Sequence, residues 1–302
     1  MIKNTLRETV TNFKLTPLSL ANFFASGEAF TSKLAKERGV NLKFVKGTGT
    51  EGRIVKRDID NFNGKSTISG QESFKDEPVS QMRKVIAHRL ADSKFSAPHF
   101  YLTVSINMDN AIASRLAINK SIAPAKISFN DFVVKAAAVS LKDHPKVNAS
   151  WFGDFIRYND HVHIGVAVAV DEGLLVPVVR FANEKPLTQI GEEVKTFAKK
   201  AKEKKLQPDE WEGNTFTISN LGMFGIDEFT AIVNPPDACI LAIGGIQQVP
   251  VVKNGEIVPG NVMKVTLSCD HRVVDGAVGS AFLNSFKNYL ENPVLLLGKD
   301  SI

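Results

Sequence analysis

The stretch Cys269-Asp270-His271-Arg272-Val273-Val274-Asp275-Gly276 places an imidazole where an apolar run, MKVTLSC, gives way to a helical pattern. A strand end exposes the ring, and Gly276 lets the chain turn sharply. A histidine so placed can act as a general base near neutral pH. H-x-x-x-D-G is a short pattern, and a packed or capping histidine is the other reading it leaves open. About fifty residues earlier, Thr215–Gly225 (TFTISNLGMFG) runs a strand pattern into a loop carrying hydroxyls, an amide and two glycines. Such a loop can bring an O–H donor to a developing oxyanion. A hydroxyl-capped turn at the end of a strand is equally natural.

Three further patterns carry less chemistry. Gly47-Thr48-Gly49-Thr50-Glu51-Gly52 fits G-x-G-x-x-G, but a dinucleotide site needs a long strand before it and a helix of several turns after it. Here the loop lies inside a short helical unit, which points to a structural turn. His161 and His163 sit two apart on an expected strand and would share a face, yet no third metal ligand is evident nearby. Cys239 and Cys269 lie inside apolar runs. They fit a reducing compartment, and neither reads as half of a metal cluster. No metal site is expected.

These groups need elements to hold them. Ala29–Arg38 places Phe30, Leu34 and Ala35 at helical spacing with Gly39 as a stop, and Ile54–Phe62 repeats the period. Residues 66–76 are polar and rich in Gly and Ser, a linker composition. From Glu77 onward helix and strand patterns mix, as in an α/β or α+β domain. Met82–Phe95 is amphipathic through Met82, Val85, Ile86 and Leu90, and His99–Met108 alternates as a strand. Asp109 can cap a helix running to Lys120, and Ser128 with Asp131 opens another. HVHIGVAVAV, LLVPVV, NTFTIS, ACILAIGG and MKVTLSC read as strands, Leu187–Lys205 and Gly276–Leu290 as helices, and Asn254–Gly255 as a two-residue hairpin turn.

The chain has 302 residues, 43% hydrophobic and 23% charged, which excludes a disordered polymer and a disulfide-knotted miniprotein. Its net charge of +5 is localised. Between Ala29 and Lys65 nine bases face four acids, an excess that equals the charge of the whole chain. A basic unit on a neutral body points to an acidic partner for that unit alone. The segment lacks interleaved aromatics, which argues against nucleic acid. No apolar run approaches the roughly 20 residues of a membrane span, and the N-terminus lacks the apolar stretch of a secretory signal.

DHRVVDG together with FTISNLGMFG resembles the dihydrolipoamide acyltransferases, the E2 core components of 2-oxo acid dehydrogenase complexes. The similarity runs from about Pro78 to Leu297 through QMRKVIAHRL, SFNDFVVKAAA, VAVAVDEGLLVPVV and IVNPPDACILAIG. AFTSKLAKERGVNLKFVKGTGTEGRIVKRDIDNF is similar to the peripheral subunit-binding domain of the same proteins. NLGMFGIDEFTAIVNPPDACILAIG looks most like the acetyl, or pyruvate, branch. The resemblance implies a tail over 1–28, a subunit-binding domain over 29–65, a linker over 66–76 and an acyltransferase domain over 77–302. It implies an α/β fold of the chloramphenicol-acetyltransferase type: a two-layer core with a mixed sheet, preceded by a small all-helical domain. Trimers assembling into a larger cage would carry active sites at subunit interfaces.

On that resemblance His271 is the general base, Ser219 donates to the oxyanion across an interface, and Asp275 holds the loop through an arginine. Coenzyme A is a substrate, and the dehydrogenase partners, E1 or E3, dock on the small domain through Arg53, Lys33 and Lys36. Ser32 stands where the family often has a base. Residues 1–28 are too short for a lipoyl domain, so the lipoyl group is expected in trans. The implied compartment is the cytoplasm in a bacterium or the mitochondrial matrix in a eukaryote. The alternatives are a non-catalytic, partner-binding cage subunit and an E2 of different acyl specificity. An intact His271, Asp275 and Ser219 argue for catalysis.

Overall fold

The computed structural model describes residues 28–64, 72–170 and 173–297. The expected tail, up to residue 27, and the first part of the expected linker, residues 66–71, lie outside them. The chain divides into two compact units at Glu77/Pro78.

In the small unit, helix α1 (Glu28–Glu37) ends where Gly39 takes φ 66° and Val40 N–H reaches back to Ala35 O at 2.8 Å. The second helix, α2 (Lys56–Asp60), is shorter than the Ile54–Phe62 expectation. Asp58 explains the difference. Its carboxylate accepts from Thr48 N and Val55 N, both at 2.9 Å, and from Thr48 Oγ1 at 2.6 Å, which holds the preceding residues in the loop. Ala35, Val45 and Ile59 form the buried apolar centre, and Arg38 pairs with Asp60 at 2.6 Å.

The large unit starts with helix α3 (Gln81–Ser96), strand β1 (His99–Asn107), and helices α4 (Asp109–Ser121) and α5 (Phe129–Asp143). Short strands β2 (Ala149–Trp151), β3 (Ile156–Tyr158), β4 (Ile164–Val166), β5 (Val168–Val170), β6 (Gly173–Leu175) and β7 (Val178–Val179) follow. Helix α6 (Leu187–Lys202), strands β8 (Phe216–Asn220), β9 (Cys239–Lys253) and β10 (Glu256–Asp270), and helix α7 (Gly276–Glu291) complete it. Six strands make one mixed sheet in the order β1-β10-β9-β8-β4-β7, with β8 parallel to both β9 and β4.

Helices α5 and α7 cover one face. Leu102, Leu267 and Cys269 lie against Gly279 of α7, and Phe216 of β8 packs on Phe282 of α7 at 5.6 Å between centroids. Residues paired in register share a sheet face, so Thr103, Thr266, Ala242 and Ser219 form a row on the opposite face. That face is hydroxyl-bearing, and its polar row is the frame for the site.

Strands β9 and β10 form a long hairpin. Asn254 (φ 55°) and Gly255 (φ 85°) adopt the left-handed pair that a two-residue turn of this kind demands. The ladder shifts register once, where Gly244 and Gly245 stand opposite the single residue Lys264.

Several expectations are corrected. Asp109 is the first helical residue of α4, not its cap; Met108 holds the cap position, and Asp109 Oδ1 instead accepts from Asn261 N at 3.0 Å and Nδ2 at 2.8 Å. HVHIGVAVAV and LLVPVV break into short pieces, because β4 joins the main sheet while β5 and β6 pair only with each other. Helix α3 forms as expected, yet Val85 is 58% exposed and Leu90 38%. Of that stripe Ile86 is half-buried, beside Gly173; the buried residue of the helix is Ser93, whose Oγ donates to Val233 O at 2.5 Å.

Candidate active site

His271 is the first residue past β10. Its backbone N–H donates to Pro98 O at 3.0 Å, and its ring lies on Phe100 with centroids 4.6 Å apart. The segment Pro98–Phe100, at the start of β1, therefore grips the imidazole from one side and leaves the side chain 52% exposed. Asp275 precedes α7 in extended conformation and makes no side-chain capping bond. Its Oδ1 stands 3.8 Å from His271 Nδ1, within range for charge to act but too long for a hydrogen bond.

No particular arginine is assigned to Asp275 by the sequence, and among the described residues its ion-pair contact is His271. Arg272 is taken by Asp270, with Nε 3.0 and 3.1 Å from the two carboxylate oxygens and Nη2 at 2.6 Å. Asp270 is almost wholly buried, and a buried carboxylate needs its partner far more than the exposed Asp275 does. The same guanidinium lies over the Trp151 ring at 4.9 Å. Sequence reasoning missed Pro98, Phe100, Asp270 and Trp151 as supports of His271. Only the adjacency of Asp270 and Arg272 to His271 was visible, since the other three come from distant strands.

Ser219 is the penultimate residue of β8 and half-buried; among the described residues its hydroxyl has no hydrogen-bond partner. The loop after it is locked. Asn220 Oδ1 accepts from Gly222 N at 3.0 Å, and Gly222 and Gly244 approach so closely that a Cβ on Gly222 would meet Gly244 O at 2.6 Å. Ser219 pairs with Ala242 and Ala242 with Thr266, while His271 lies five residues further along the β10 side. Two strand spacings of about 4.8 Å and five residues at about 3.3 Å separate them by about 19 Å. One chain does not bring Ser219 and His271 together.

The remaining candidates resolve as follows. The glycine loop is structural: a Cβ on Gly47 would strike Gly52 O at 2.1 Å, and Asp58 closes the loop from below. Hydrogen bonds, first from the Thr48 hydroxyl and then from the Val55 and Thr48 amides, hold the Asp58 carboxyl below the usual carboxylate range. Arg53, Lys33 and Lys36 are all exposed on the small unit. His161 and His163 precede β4 rather than lying on a strand, with ring centroids 4.3 Å apart. His163 Nδ1 accepts from Phe181 N at 3.1 Å, and burial lowers its pKa. Among the described residues no cluster of three or more His, Cys, Asp or Glu could hold a metal ion, and no helix is long and apolar enough to cross a membrane. Cavities of about 520 and 730 Å³ lie elsewhere, neither lined by Ser219, His271 or Asp275.

Comparison with known proteins places these features. The catalytic-domain profile of the 2-oxoacid dehydrogenases acyltransferase family matches residues 71–298, and the E3 binding domain profile matches residues 31–60. The chain is 44% identical over 294 residues to the dihydrolipoyllysine-residue acetyltransferase component of the pyruvate dehydrogenase complex of Rickettsia typhi, covering 96% of this chain and 72% of that protein. It resembles the cubic core of the pyruvate dehydrogenase multienzyme complex with a TM-score of 0.71 and 33% identity, over 75% of this chain and 95% of that one. The Azotobacter vinelandii dihydrolipoamide acetyltransferase matches with a TM-score of 0.72 and 32% identity over the same shares. The catalytic roles studied in that protein are those of a serine, a histidine and an asparagine spaced 52 and 4 residues apart. Ser219, His271 and Asp275 have the same spacing, with an aspartate in the third place.

Proposed function

Because the chain belongs to the 2-oxoacid dehydrogenase acyltransferase family, we propose that it moves an acetyl group between dihydrolipoamide and coenzyme A as a core subunit of a pyruvate dehydrogenase complex. The observation that carries the site assignment is the shared spacing of Ser219, His271 and Asp275, set on a strand and a loop that the fold holds rigidly.

Exchange of an acetyl group between two thiols is nearly thermoneutral, so the site must activate one thiol and stabilise a tetrahedral oxyanion. With Nδ1 turned toward Asp275, His271 takes the S–H proton at Nε2. The sulfur then bonds to the acetyl carbon, and the carbonyl oxygen becomes an oxyanion that accepts from Ser219 Oγ. Collapse breaks the other C–S bond, and His271 returns the proton to the departing thiolate. Asp275 faces Nδ1 of the imidazole and helps to orient the ring, a carboxylate at the place where the Azotobacter protein has an asparagine.

The separation of about 19 Å within a chain supports a site completed by a neighbouring copy, Ser219 from one and His271 from the next, in a trimer that builds a cage. The small unit is the docking module for a dehydrogenase partner, with Arg53, Lys33 and Lys36 meeting an acidic surface. The test is acetyl-CoA-dependent acetylation of free dihydrolipoamide. His271→Ala should lower kcat at least about 100-fold with assembly intact, and Ser219→Ala about 10²–10³-fold. Near-normal turnover in an assembled His271→Ala protein would remove the assignment.

A further inference from the structure

A carboxyl sits under the segment Val233–Ala238 where the acyl-transfer step uses none. Asp237 is 3% exposed. Its Oδ2 accepts from Thr217 Oγ1 at 2.7 Å and from Asn214 Nδ2 at 2.5 Å, while its buried Oδ1 has no hydrogen-bond partner. Thr217 is two residues before Ser219 and points to the same sheet face. The residue after Asp237, Ala238, accepts through its carbonyl from Asp270 N at 2.8 Å, and Asp270 both clamps Arg272 and precedes His271. One side chain and its peptide neighbour thus join the strand of Ser219 to the root of the His271 loop.

We propose that Asp237 is a positioning residue for acyl transfer that holds the Ser219 strand and the His271 loop in one frame. The role rests on the acyltransferase reading above. Burial pushes this carboxyl up to about 7, offset only in part by the hydrogen bonds from Thr217 and Asn214 and by the charge of Arg89. The charged and titratable groups around it are Arg89 of α3, whose Nη2 donates to Pro235 O at 3.1 Å, and the Cys239 thiol of β9, itself pushed up by burial, with Asp270 beyond it. Ionisation would leave half a charge on Oδ1 with no donor in reach. Relief requires Val233–Ala238 to open, and with it the bond that anchors Asp270.

The experiment is the pH profile of kcat from pH 6 to 9 with free dihydrolipoamide, on the full assembled chain. Wild type should lose activity as the pH rises through about 7, whereas Asp237→Asn, neutral throughout and able to accept both bonds, should not. The two should agree within about twofold at pH 6 and differ about five- to tenfold at pH 8, with KM for coenzyme A unchanged. Thr217→Val removes one bond to the ionised form, so its descending limb should move to higher pH; it keeps the idea testable if Asp237→Asn does not fold. Superimposable profiles of wild type and variant, or a loss in Asp237→Asn that is equal at every pH, would overturn the proposal alone. Absence of transfer by wild type would instead overturn the acyltransferase reading, and the proposal with it.

Discussion

Mixing two inactive variants tests how the site is assembled. A His271→Ala chain keeps Ser219, and a Ser219→Ala chain keeps His271. The strand register sets these groups about 19 Å apart in one chain, so neither variant can repair itself, but a site between copies can be repaired by pairing. In a ring of three with random equal mixing, a site is whole when each of its two neighbours is the right variant, which gives about a quarter of wild-type activity. Each parent should retain about 1% or less. The mixture should therefore exceed the parents about 25-fold or more. The assay is acetylation of free dihydrolipoamide after co-expression, with native mass spectrometry to verify mixed trimers. Activity equal to the mean of the parents, in verified mixed assemblies, would refute the interface reasoning.

Other perturbations probe separate parts. Arg53→Ala should weaken docking of a dehydrogenase partner and flatten its salt dependence without changing transfer to free dihydrolipoamide; unchanged docking at low and high salt would remove the electrostatic argument. The Asp58 pKa lies below its unfolded value, so its contribution to the small unit is present above about pH 4 and lost as pH falls through the lower folded value. Asp58→Asn at neutral pH should accordingly speed tryptic cleavage at Arg53 and Arg57, and an unchanged digestion rate would show that the carboxylate does not hold the loop. Phe282 is fully buried between Phe216, Phe286 and His144, so Phe282→Ala should cost about 3–5 kcal/mol by denaturant unfolding; a cost below about 1 kcal/mol would mean that the core collapses onto the gap.

What could be read from residues alone follows the range of the forces involved. The Asn254–Gly255 turn, the Ser128–Asp131 capping box and the Gly39 stop are local, and each forms as its residue types require. Asp109 misleads because its local cap pattern competes with Asn261, 152 residues away, whose two N–H groups claim the carboxylate. His161 and His163 carry a strand-like alternation, but the Phe181 amide fixes His163 from outside the sheet ladder. The exposed place of His271 just past a strand end was legible because an apolar run, a histidine and a glycine coincide there. The Asp270–Arg272 pair was not legible because Asp270 and Asp275 look alike in a sequence, and only burial tells which of them must be paired.

The double-glycine irregularity at Gly244–Gly245 does more than seat the loop that follows Ser219. It lies between the tip of the β9–β10 arm and the stretch of ladder leading to Asp270. Beyond it, Glu256–Met263 keeps one register with Ile246–Lys253; before it, Val265–Cys269 keeps another with Cys239–Ile243. A residue added to or removed from an unbroken antiparallel arm would turn every later side chain to the wrong face. Here the mismatch already has a place to end. The outer arm can gain or lose residues, or meet different surfaces in different descendants, while the inner ladder goes on delivering the histidine at the same height and angle.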